Sequence, residues 1–308
     1  MQDKTKGYLY GAVAAATYGM NPLFALPLYA DGMNADSVLF FRYLLAVPIL
    51  WFMVRSRGRD FRLKRQEIPP LVALGLLMAF SSLALFLSFN YMAAGIAATL
   101  LFVYPIMVAL IMAIWFHERL SLLTAACIAL ALTGIALLYQ GDGETTLSPA
   151  GVGLVMASAL SYALYMVGVN RPRMREMPTV KLTFYALVFG LSIFLVRVDF
   201  GASLLAPDHW YHWGNLIALA VLPTAVSFVS TTRAIQYIGS TPTAILGALE
   251  PLTALFFGIA VFGERLTPRL AGGIALILLA VTLIIAGSRI ATYLVRFRKL
   301  FPKLPRRR

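Results

Sequence analysis

Cysteine, acid and histidine are scarce in this 308-residue chain. Cys127 is the single cysteine, so no disulfide can close within the chain, and it lies in an apolar run without ligand partners. His117, His209 and His212 are the only histidines, and none has a spacing partner that reads as a metal site. Charged residues make up 13% of the chain, about half of what a soluble domain carries. The sequence has no HExxH, no GxSxG and no GxxxxGK(S/T). It also lacks paired aspartates within its apolar runs. These absences argue against an intramembrane enzyme and against a chain that hydrolyses nucleotide by itself. No metal or cofactor is expected.

What fills the space is hydrocarbon. Hydrophobic residues make up 60% of the chain, and the mean hydropathy is +0.80. Apolar runs of about 20 residues recur along the whole length, each long enough to cross roughly 30 Å as a helix. Continuous apolar runs exclude a membrane β-barrel, whose strands alternate. The expected fold class is an all-α membrane protein with ten transmembrane helices. Their spans read as Gly7–Leu28, Asp36–Val54, Pro69–Phe89, Gly95–Phe116, Leu122–Tyr139, Pro149–Val169, Thr179–Val198, Gly214–Ile235, Thr241–Phe262 and Pro268–Ser288. Lys4 and Lys6 precede the first run as in a signal peptide, but that run is longer than a usual signal core.

The basic residues set an orientation. With the N-terminus in the cytoplasm, most of the 26 Lys+Arg fall on the cytoplasmic side. Six of them lie between Arg55 and Arg65, and eight lie from Arg289 onward. Arg197, Arg265 and Arg269 fall outside, and Arg42 falls within the second span. The outer loops hold Asp31, Asp36, Asp142, Glu144 and Asp208. The net charge of +13 therefore reads as a membrane orientation signal and not as a nucleic-acid surface. The tail FRKLFPKLPRRR reads as a basic segment for anionic lipid headgroups. The expected location is a bacterial-type inner membrane, with both termini cytoplasmic.

Two stretches align without a gap at an offset of 146: NYMAAGIAATLLFVYPIMVALIMAIWFHERLS from Asn90, and QYIGSTPTAILGALEPLTALFFGIAVFGERLT from Gln236. Tyr91 meets Tyr237, Pro105 meets Pro251, and Glu118-Arg119-Leu120 meets Glu264-Arg265-Leu266. Thr17-Tyr18-Gly19 echoes Ser161-Tyr162-Ala163 at an offset of 144. Each half then holds five spans, and an odd number makes the second half enter the membrane from the opposite side. Inverted repeats of this kind serve alternating-access transporters, which hold a ligand near mid-membrane.

The duplicated pattern of turn Tyr, mid-helix Pro and terminal Glu-Arg-Leu resembles the drug/metabolite transporter superfamily, in its ten-helix EamA branch. ATYGMNP from Ala16, FFRYLLA from Phe40 and LEPLTALFFGIAVFGERLTPRLAGG from Leu249 carry the likeness, which covers about residues 7–288. The resemblance implies two EamA-like five-helix repeats, residues 1–145 and 146–290, around a central cavity, with a basic cytoplasmic tail over 291–308. It implies that helices 1, 3, 4, 6, 8 and 9 line that cavity. It also implies a secondary transporter, an exporter of a small metabolite such as an amino acid. A multidrug or cationic-compound exporter, or a nucleotide-sugar or lipid-type carrier, is the alternative on the same fold.

Glu250 sits near mid-membrane in the ninth span, where an ionised carboxylate facing lipid would cost on the order of 3 kcal/mol. Two readings stay open: a proton-titratable or amine-binding group, or a buried carboxyl satisfied by its neighbours. Tyr104 occupies the equivalent position of the first half. Further substrate-binding candidates are Tyr18, Asn21, Ser81, Ser88, Tyr162, Tyr165, Ser227 and Thr231. Each has a plain alternative as a belt anchor, a cap or a helix-packing hydroxyl. Pro22, Pro105 and Pro251 are expected to kink their helices. Arg42 reads as structural, either snorkelling outward or neutralising a buried acid. The expected partners are a small-molecule substrate and the lipid bilayer, with proton coupling open and no nucleic acid. Gly134 and Gly272-Gly273 suit either packing within the bundle or a homodimer contact, so monomer and homodimer both stay open.

Overall fold

The computed structural model describes residues 2–92, 97, 100–117, 121–138, 148–262, 268, 271–273, 275–280 and 282–283. All regular structure among the described residues is helical. The Glu-Arg-Leu triplets at 118–120 and 264–266, the start of the fourth span and the basic tail lie outside the described residues.

In chain order the helices are α1 (Gln2–Tyr18), α2 (Asn21–Ala30), α3 (Ala35–Ser56), α4 (Ile68–Ser88), α5 (Tyr104–Phe116) and α6 (Leu122–Leu138). The series continues with α7 (Pro149–Val169), α8 (Thr179–Arg197), α9 (Trp210–Leu219), α10 (Ser227–Ile238), α11 (Ser240–Leu246) and α12 (Leu249–Phe262). A π-helical segment, Ala220–Val226, joins α9 to α10. Among the described residues five helical stretches are long and apolar enough to cross a membrane: Ala35–Ser56, Ile68–Ser88, Pro149–Val169, Thr179–Arg197 and Trp210–Ile238.

Three expected spans turn out of helix, at 19–20, 102–103 and 247–248, and a proline follows each turn. Pro22 and Pro105 sit in the first turns of α2 and α5, and Pro251 in the first turn of α12. Proline has no N–H and its ring crowds the carbonyl four residues back, so the preceding helix must end. It is tolerated in a first turn because its N–H would be unpaired there anyway. The backbone tightens into i→i−3 bonds at each junction. Met20 N–H donates to Thr17 O (3.3 Å), Val103 to Leu100 O (3.2 Å) and Ala248 to Ile245 O (3.1 Å). The ninth span thus breaks at Gly247-Ala248, ahead of Glu250.

The contacts between the halves recur as matched pairs. A methyl group placed on Gly7 would lie 2.6 Å from Ile238 and 2.8 Å from Tyr237. One placed on Gly151 would lie 2.6 Å from Met92 and 3.0 Å from Tyr91. Gly7 and Gly151 differ by 144, and Tyr91 and Tyr237 by 146. Likewise, Ser81 on α4 bonds Ser158 on α7 (3.1 Å), while its counterpart Ser227 on α10 donates to Ala14 O on α1 (2.9 Å). So α1 packs on α10 as α7 packs on α4. Gly134 of α6 faces Gly273 and Ile277 of the same chain, so this small-residue face is occupied within the bundle.

Candidate functional site

A stack of phenol rings fills the junction of the halves. The rings of Tyr18 (end of α1) and Tyr162 (α7) lie 6.2 Å apart and are inclined by 6°. Tyr165 continues the stack, 6.3 Å from Tyr162 and again inclined by 6°. Tyr104 meets Tyr162 edge-on at 4.9 Å. All four rings are buried, so none is an interfacial belt anchor. A ring pair of this kind contributes on the order of 1 kcal/mol beyond its area burial. The expected cavity-lining rings are in mutual contact in this structure.

Glu250 stands at the end of this stack. Tyr104 Oη donates to Glu250 Oε1 at 3.4 Å. That is long for an O–H···O bond, so the carboxylate is weakly held. The first half approaches the main chain around it closely. A side chain on Gly19 would collide with Glu250 O, and one on Gly247 with the Tyr104 hydroxyl. Glycine at both positions lets α1 and the Tyr104 ring close onto the α11–α12 break.

The remaining candidates divide. Ser81 and Ser227 tie helices together, as described above, and Ser88 Oγ donates to Leu85 O of its own helix (2.6 Å). Thr231 is buried within hydrogen-bond reach of Tyr162, and Tyr165 reaches Thr232 (3.4 Å). Asn21 is buried with neither its amide N nor its amide O partnered.

Arg42 corrects the expectation that it snorkels outward or neutralises an acid. Its side chain is 0% exposed. Nε donates to Thr224 Oγ1 (2.5 Å) and Nη2 to Pro223 O (3.2 Å), both in the π-helical segment. Thr224 Oγ1 in turn donates to Leu219 O, five residues back (2.7 Å). Pro223 cannot donate, and the wider turn leaves its carbonyl for the guanidinium. The rings of Phe86, Tyr18 and Phe228 surround the cation at 5.5, 5.9 and 5.9 Å. Tyr29, Tyr43 and Phe228 join this environment without having been singled out in the sequence, and Thr224, which shares the polar face of Ser227 and Thr231, bonds Arg42. A lone arginine in an apolar span and a mid-span Pro223 were the available signals. Among the described residues no three His, Cys, Asp or Glu side chains converge as a metal site would require.

A second polar cluster lies at the end of the bundle that holds Asp36. His212 Nε2 and Tyr211 Oη both meet Asp31 Oδ2 at 3.0 Å. These bonds, that from His212 above all, hold the Asp31 carboxyl below the usual carboxylate range.

Comparison with known proteins assigns the chain. The family model described as "EamA-like transporter family" matches it twice, over residues 5–140 and 149–286. The chain belongs to the EamA-like transporter family. An uncharacterized transporter of Archaeoglobus fulgidus is 31% identical, over 91% of this chain and 93% of the relative. The threonine/homoserine exporter RhtA of Escherichia coli K12 is 27% identical, over 82% of this chain and 80% of the relative. A solved crystal structure superposes with a TM-score of 0.79 at 16% identity, covering 93% of this chain and 99% of that one. That likeness shows the fold alone. Membership makes this a membrane transporter of two EamA repeats, with the tyrosine stack and Glu250 where the repeats meet.

Proposed function

We propose that this EamA-family protein is a secondary transporter that exports a small metabolite such as an amino acid by alternating access. The carrying observation is that repeat-equivalent positions touch: Tyr18 stacks on Tyr162, and Tyr104 bonds Glu250, 146 residues away. Equivalent positions meet only near a two-fold axis, so the stack marks the axis between the halves. With five spans per half, ten in all, that axis lies in the membrane plane and the repeats are inverted. Glu250 then supplies the one carboxylate on the axis, for a substrate ammonium or a proton. The likeness to a threonine/homoserine exporter supports an amino acid over other cargoes. The charge distribution supports an inner-membrane location with both termini in the cytoplasm.

A second reading has its own support. Buried phenol rings beside a carboxylate also suit bulky organic cations. Efflux from proteoliposomes separates the two. Loaded L-threonine or homoserine should leave faster than from protein-free vesicles, and Glu250→Gln should slow that flux at least tenfold or flatten its pH dependence. Flux of a quaternary ammonium dye without amino-acid flux would favour the second reading. Unchanged rate and pH profile in Glu250→Gln would remove Glu250 from the mechanism.

A further inference from the structure

We infer that Arg42 is a carboxylate-binding subsite, so that the substrate of this transporter is a carboxylate-bearing small molecule. This rests on the transport reading and adds the anionic end of the substrate to it. The guanidinium is fully buried, yet Nη1 has no partner. Its hydrogen bonds go to neutral groups, the Thr224 hydroxyl and the Pro223 carbonyl, with the Tyr18 phenol also in reach. No ion pair among the described residues includes it. A buried guanidinium without a counter-charge is destabilising unless something supplies the anion, and a lone ionisable group at membrane depth marks a ligand path.

The surroundings suit an incoming carboxylate. The Tyr29 ring packs edge-on against Phe86 at 6.3 Å, and Phe86 is the ring that Arg42 lies over. The Tyr29 hydroxyl is buried without a partner, as are both polar atoms of Asn21 on the same short helix. A carboxylate accepts up to four hydrogen bonds, and Arg Nη1, a phenol and an amide N–H are the donors it takes. The structure leaves Arg42 Nη1 and the Tyr29 hydroxyl unspent on α3 and α2, both beside Phe86. Polarity is also built in. Tyr18 stands between the charges, its ring 5.9 Å from the guanidinium and its neighbour Gly19 against the Glu250 carbonyl.

The test uses purified full-length protein and three matched probes: L-threonine, threoninol (no carboxylate) and 3-hydroxybutyrate (no amine). Wild type should bind threonine at least tenfold more tightly than threoninol, measured by equilibrium binding and ligand-induced shift in Tm. Arg42→Gln should abolish that preference while still binding threoninol, and Arg42→Lys should keep part of it. Equal binding of threonine and threoninol by wild type overturns the subsite but leaves the amine reading of Glu250 standing. Binding of 3-hydroxybutyrate without threonine keeps the subsite and discards the amino-acid reading. Binding of none of the three discards both. The wild-type comparison needs no variant to fold, so loss of Arg42→Gln to misfolding does not blunt it.

Discussion

Gly247 is where one missing side chain matters most. The Tyr104 hydroxyl occupies the place a Cβ would take, and Tyr104 is itself buried without room to swing aside. Gly247→Ala should lower stability by about 1–3 kcal/mol, as overpacking of a filled core does. It should also break the Tyr104–Glu250 bond and slow transport. Adding Tyr104→Phe removes the colliding oxygen, so the double variant should be more stable than the sum of the two singles, read as Tm in detergent. Additive losses would mean that the two residues do not compete for that space. At this scale the sequence was half legible. A glutamate beside a proline in an apolar run costs too much to be accidental, and Glu250 was readable for that reason. Arg42 carried the same signal, but its partners come from a segment 180 residues away, which no spacing reveals. The hydroxyls of Ser81, Ser88 and Ser227 were readable as a polar face. Only packing showed that they bond helix to helix, or to their own backbone.

Among the elements, prolines and loop acids organise the joints. Each half-helix junction could be read from a proline, but not the residue at which the backbone yields. That depends on where an i→i−3 bond can form, at Gly247-Ala248 in the ninth span. The π-helical turn at Ala220–Val226 was not legible, because it depends on Arg42 and Thr224 filling the wider ring. Outside the spans, Asp31 closes α2 and ties it to the start of α9 through His212 and Tyr211. Because folding depresses the Asp31 pKa, its contribution to stability is complete above the unfolded carboxylate value of about 4. It is lost as pH falls through the lower folded value. The Tm difference between wild type and Asp31→Asn should therefore be largest near neutral pH and shrink below about pH 4. A difference that is constant down to pH 2 would show that the carboxylate charge is not what holds this joint. The carboxylate is partly exposed, so the effect is small and weakens with salt.

For the molecule as a whole, the duplication was the most legible feature, because Pro and Tyr in fixed register survive where apolar residues drift. The family model likewise matches the chain twice, over 5–140 and 149–286. Ten spans were read from the sequence, while five helical stretches among the described residues meet a length rule made for unbroken helices, which half-helices do not. The proposed inverted arrangement predicts sidedness. In a Cys127→Ser background, single cysteines at Lys6, Arg59 and Arg175 should react with an impermeant maleimide only from the cytoplasmic side. Cysteines at Gly32 and Asp208 should react only from outside. Labelling of Arg59 and Asp208 from one side would dismantle the topology.

The meeting of Tyr104 with Glu250 also constrains how such a chain could arise. Had both copies kept the acid, two like charges would face one another across the dyad. Had both kept the phenol, the dyad would carry no charge at all. A self-associating single copy could therefore never assemble this mixed pair. Two copies that differ at this one position, as the halves of this chain do, can hold a single acid against a single phenol.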